Sequence, residues 1–137
     1  MHDRPSMREL LDVVQKFLDE EIVPATSGRK QFLARVAANC VRMVDRELGA
    51  ERAHVARAWE GLEMLLGADE SSRDPLGWAE AIPGRLTELC EQIRAGGFSE
   101  GSPEYERLLA FLRASVADKL AISNPKLLAA DKERGIV

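Results

Sequence analysis

Histidine and cysteine are both scarce in this chain, and each scarcity removes a class of chemistry. Only His2 and His54 occur in 137 residues, so histidine-centred acid–base, nucleophilic or metal chemistry has little material. Cys40 and Cys90 are too few for a disulfide framework, and both lie in helical patterns among apolar neighbours, where buried, reduced thiols are expected. No apolar run approaches the ~20 residues that span a bilayer, and the opening Met-His-Asp-Arg-Pro-Ser lacks the charged-then-apolar layout of a signal peptide. A cytoplasmic protein that stays out of membranes is therefore expected. Basic residues form no block: the formal charge is −4 and Lys and Arg are spread along the chain, which argues against nucleic acid as a partner.

What is present is the composition of a packed helical protein, 45% hydrophobic and 31% charged. The length fits a single helical domain, residues 1–137, able to bury about two-thirds of its unfolded surface. Ser6 and Glu9 form a capping box, behind which Leu10, Leu11, Val14, Phe17 and Leu18 recur at helical spacing, so helix 1 is expected from Ser6 to Val23, stopped by Pro24. After a turn over 24–28, Phe32, Val36, Cys40, Met43 and Val44 mark helix 2 up to Gly49. Helix 3 carries Val55, Ala58, Trp59, Leu62, Leu65 and Leu66 and ends at Gly67. Residues 68–74 read as a loop, and Asp74-Pro75 as the cap of a short turn carrying Trp78, interrupted by Pro83-Gly84. Helix 4 is expected from Gly84 to Ala95 and helix 5 from Ser102-Pro103 to Asn124-Pro125, with a C-terminal segment that begins as a helical turn and frays. The fold class is thus all-α, an antiparallel bundle of about five helices.

Charges that fall inside apolar arcs are the informative exceptions. On helical wheels Glu21 projects between Leu10 and Val14, Glu47 between Val36 and Cys40, and Lys119 between Leu108 and Leu112. Inward charges need partners, and an up-down topology offers Lys119 to Glu21, and Arg4 or Arg8 to Glu47; alternatively all three, near helix ends, snorkel to water on their long stems. Helix 1 carries two basic against five acidic residues, net −3, and helix 2 five basic against two acidic, net +3, consistent with packing side by side. A polar stripe on helix 2, Arg35, Asn39, Arg42 and Arg46, reads as a solvated face paired with acidic helix 1, and is also suited to an anionic ligand or to a partner's acidic helix. The candidate binding residues are Glu21, Arg35, Asn39 and Lys119. Glu51-x-x-His54 is half of a carboxylate-bridged di-metal pattern with no second copy, and Gly96, Gly97 and Gly101 lack a phosphate-binding lysine. No catalytic residue, cofactor or metal is expected.

Three stretches together carry a resemblance: His2-Asp3-Arg4-Pro5, then Arg35-Val36-Ala37-Ala38-Asn39 with Arg46-Glu47, then Asp118-Lys119-Leu120-Ala121-Ile122 with Asn124-Pro125. The chain resembles, over nearly its whole length, a family of short bacterial proteins of unknown function. The resemblance implies genes encoded beside aminoglycoside-phosphotransferase-like kinases and acyl-CoA dehydrogenases, and supplies no catalytic residue. Two functions are expected to compete: a non-catalytic accessory or interaction domain for such a kinase-like or acyl-CoA-metabolising partner, and a small-molecule binder or minor enzyme with a charged pocket at the Glu21, Arg35, Asn39 and Lys119 pole. A homodimer, one helix face pairing with its own copy, fits the same pattern.

Overall fold

A computed structural model describes residues 4–68 and 75–136, and every regular element in them is helical. Five α-helices follow in order: α1 (Met7–Lys16), α2 (Gly28–Leu66), α3 (Trp78–Arg94), α4 (Pro103–Ser123) and α5 (Pro125–Glu133). The chain divides into two compact units, residues Met1–Gly49 and Ala50–Val137, so α2 lends its first part to one and its second part to the other.

In the smaller unit α1 opens on the capping box, with the Ser6 N–H donating to Glu9 Oε2 at 2.7 Å and the Glu9 N–H donating to Ser6 Oγ at 3.3 Å. The helix does not stop at Pro24. It widens into a π-helical turn over Phe17–Ile22 and continues through a last α turn, Val23–Ala25. Proline has no N–H for the carbonyl four residues earlier and crowds it, and the wider turn just upstream accommodates both effects. Two carbonyls at this end are taken by side chains, Ile22 O by the Thr26 hydroxyl at 2.7 Å and Val23 O by the Gln31 amide at 3.0 Å.

Expected helices 2 and 3 are one helix. Gly49 does not end it, because a glycine inside a helix costs only about 1 kcal/mol and here it lies beneath the Arg8 guanidinium, 3.5 Å from where a Cβ would stand. The face expected to turn inward is also corrected. Ala34 and Ala38 are the buried residues of this stretch, whereas Phe32, Val36 and Cys40 are exposed. The inward arc is rotated by about 160° from the expected one. It carries small side chains and Asp45, and Cys40 and Glu47 therefore point outward.

The larger unit has a conventional core. Leu62 of α2, Leu89 of α3 and Leu108 of α4 form a buried cluster, with Leu65, Leu66, Ile82, Phe98 and Phe111 packed against it. Trp59, 1% exposed, stacks on Trp78 with ring centroids 5.5 Å apart and planes 3° from parallel. This packing explains why α3 begins at Trp78 and runs through Pro83 instead of starting at Gly84: the proline sits in the second turn, and Trp78 and Ile82 on its N-terminal side are held by the core. Cys90, expected inside, is exposed one position past buried Leu89. Ser102 caps α4, its Oγ accepting from Tyr105 N–H at 3.1 Å. Asn124 ends α4 and caps the next helix, its Oδ1 accepting from Leu127 N–H at 3.1 Å, so the tail forms the nine-residue α5 instead of fraying after one turn. Of the expected loop at 68–74, residues 69–74, with the Asp74 cap, lie outside the described residues; Pro75 opens a 3-10 turn, Pro75–Gly77.

Two glycines inside helices are predicted to respond oppositely to alanine. At Gly61 a Cβ would collide with the Phe111 ring, and Gly61→Ala should destabilise the protein by about 1–3 kcal/mol through overpacking. At Gly84 nothing lies within 4 Å, and Gly84→Ala should stabilise by about 0.5–1 kcal/mol through the lost entropy of the unfolded chain. Urea midpoints of the two variants decide the matter; equal signs would contradict the packing of Phe111 on α2.

Candidate functional site

The four residues singled out from sequence are all exposed. Glu21 lies in the π-helical turn, Arg35 and Asn39 on the first part of α2, and Lys119 near the end of α4, in the other unit. The Asn39 amide approaches Met43 Sδ of its own helix at 3.8 Å. Glu21, Glu47 and Lys119 form no ion pair among the described residues, so their expected inward projection is corrected: on the observed helices they face water.

The charge complementarity of the first two helices is real but uses other residues. Arg8 grips Asp45 through two hydrogen bonds, Nε to Oδ1 at 2.8 Å and Nη2 to Oδ2 at 3.1 Å, and Arg42 Nη1 meets Asp19 Oδ2 at 2.7 Å. Asp45 replaces Glu47 as the partner of Arg8 because it lies on the same arc as Ala34 and Ala38. The hydrogen bonds from Arg8 hold the Asp45 carboxyl below the usual carboxylate range, and the Ser6 backbone N–H does the same for Glu9. Arg8, Glu9, Asp12, Gln15 and Asp45 surround a shallow hollow of about 300 Å³.

More distinctive is the apolar surface of this unit. Helix α1 has no fully buried side chain, although Met7, Leu10, Val13 and Val14, with Phe17 just beyond its end, occupy a single arc about 120° wide. On α2, Phe32, Leu33, Val36, Val44 and Leu48 are likewise exposed, by 37% to 64%. A helix with this patterning is built to cover its apolar side. That signal was legible in the sequence as periodicity, but periodicity does not say whether the covering group belongs to the same molecule.

The larger unit holds two polar constellations. Arg57 grips Asp118 in a fork, Nη2 to Oδ1 at 2.6 Å and Nε to Oδ2 at 3.1 Å, with His54 Nε2 at 3.4 Å from the same carboxylate. This contact fastens α2 to α4, and the carboxylate raises the Arg57 pKa still further by hydrogen bonding. Beside Trp78, a cleft of about 510 Å³ is lined by Val55, Ala56 and Leu76, with Glu51 and Arg52 at its charged edge. Arg85 lies over Trp59 at 5.6 Å and donates from Nη2 to the carbonyls of Leu62 and Gly67 at 3.2 and 2.6 Å, closing the end of α2. Glu51 and His54 are therefore engaged in different surroundings, the cleft edge and Asp118. No group of three or more His, Cys, Asp or Glu suited to a metal ion occurs among the described residues.

A family profile described as a domain of unknown function, DUF6285, matches residues 24–127. The chain belongs to the DUF6285 family. The match takes in two of the three stretches that carried the resemblance, and the structure gives their residues concrete work: Ala38 is fully buried, Asp118 anchors α4, and Asn124 caps α5. His2 and Asp3 of the first stretch lie outside the described residues. No curated protein and no solved structure matches this DUF6285 chain. No described helix is long and apolar enough to cross a membrane.

The Arg8–Asp45 pair makes a pH prediction. A carboxylate whose pKa is depressed on folding contributes stability that is fully present above the ordinary value of about 4 and is lost as pH falls through the depressed value. Carboxyl-carbon NMR titration should find the Asp45 midpoint below the ordinary range, and Arg8→Gln should return it upward. An unchanged midpoint in that variant would dismiss the pair as the cause.

Proposed function

We propose that this DUF6285 chain is a non-catalytic accessory or interaction module that docks protein through the apolar arcs of its 1–49 unit. The observation that carries the reading is that α1, strongly amphipathic by pattern, contributes no buried side chain. Exposed apolar surface that is continuous along a helix marks an interaction site more often than a neutral surface does. Arg35 and Asn39 stand beside the α2 arc and add a polar edge that would orient an acidic partner segment. The partner class follows from the resemblance: a phosphotransferase-like kinase or an acyl-CoA dehydrogenase encoded nearby.

A second reading, a small-molecule binder, is favoured by the cleft at Trp78, whose volume of about 510 Å³ falls in the range of ligand sites. Its signature would be a thermal shift with acyl-CoAs or phosphosugars.

The two readings are separable by co-purification of the tagged full chain with the neighbouring kinase-like or dehydrogenase product. Phe32→Glu should abolish the complex, and Arg35→Glu should weaken it about tenfold, chiefly through association rate. Retention of the complex in both variants, with the circular dichroism of the parent, would exclude this surface.

A further inference from the structure

The apolar arcs of the 1–49 unit also specify what can cover them. Ten large apolar side chains of this unit are exposed by 37% to 69%. Aromatic side chains cover about 150–250 Å² each and aliphatic ones roughly half that, so these ten leave several hundred Å² of apolar surface on the two helices. That is of the order of the largest patch on a typical monomer, about 300–600 Å², and a large part of the roughly 800 Å² per partner that a stable dimer buries.

Charge selects among possible occupants. Residues 1–49 carry eight acidic and eight basic side chains, so the unit is neutral while the whole chain is at −4. The neutrality conceals a separation: the segment that contains α1 is net −3 and the first part of α2 net +3. A neutral surface with its two signs on neighbouring helices is complementary to itself under a two-fold rotation. Placing α1 of one copy over α2 of the other sets −3 against +3 twice, whereas α1 over α1 would set like charges together. The ion pairs already made within the unit, Arg8–Asp45, Arg42–Asp19 and Lys16–Asp12, lie away from the apolar arcs and need not break.

We propose that the occupant is a second copy of this chain, joined isologously so that α1 of each copy crosses α2 of its partner in a four-helix layer. This rests on the reading of the 1–49 unit as a docking surface and makes a second copy its resting occupant, which the kinase-like or dehydrogenase product would have to displace.

The full chain should sediment at twice its 15.2 kDa mass at micromolar concentration. Leu10→Glu with Phe17→Glu, both at exposed positions, should sediment as one copy with unchanged circular dichroism. If that variant unfolds, a charge exchange decides. Glu20→Lys with Glu21→Lys in one preparation, and Arg29→Glu with Lys30→Glu in another, change exposed residues that make no ion pair within the unit. Each alone should self-associate about tenfold more weakly, and mixing them should restore association, because both crossings of the mixed dimer again join opposite signs. A parent chain that remains single at all concentrations, or a mixture no tighter than its components, overturns the proposal. A single-copy parent that still co-purifies with the kinase-like or dehydrogenase product overturns the dimer alone; one that binds neither overturns the docking surface as well.

Discussion

The contact among Leu62, Leu89 and Leu108 is the constraint on which the larger unit depends. Each comes from a different helix, so satisfying that one cluster fixes three helices at once. The rest follows from it. Gly61 must lack a side chain because Phe111 packs beside the cluster, and Trp59 is enclosed where Trp78 can stack on it. Pro83 is tolerated inside α3 because residues on both sides of it are held by the core, and buried apolar area outweighs one lost backbone hydrogen bond. The Arg57–Asp118 fork and the Arg85 contacts finish the periphery and are results of the packing, not its cause.

The smaller unit is held differently. Alanines occupy its buried positions, and its large apolar side chains are exposed. Small buried side chains remove little area from water, so hydrophobic stabilisation within the unit is modest and the ion pairs serve to set register more than to add energy. An amphipathic helix in that condition has its driving force still unspent. Function is therefore more naturally sought in the surface of this unit than in an enclosed pocket.

The helical fold class and most helix starts were legible because they depend on local chemistry. Ser6, Ser102 and Asn124 accept hydrogen bonds from N–H groups three residues on, and Pro103 and Pro125 stand where a missing N–H is harmless. Gly49 and Pro83 misled because the signals they carry are weak against tertiary packing. Glu21, Glu47 and Lys119 misled for a different reason. A helical wheel ranks positions by polarity and assumes that the most apolar arc faces inward, whereas in the first part of α2 the alanine arc does.

Periodicity, caps and charge pattern, each set within a few residues, are what the amino-acid order alone determined: an all-helical chain with an acidic segment followed by a basic one. Which arc of α2 is enclosed, which carboxylate meets Arg8, and where a helix passes through glycine or proline were decided only by the tertiary structure. The physical reason is that these outcomes compare burial among alternative packings of residues far apart in sequence, and such a comparison has no local signature.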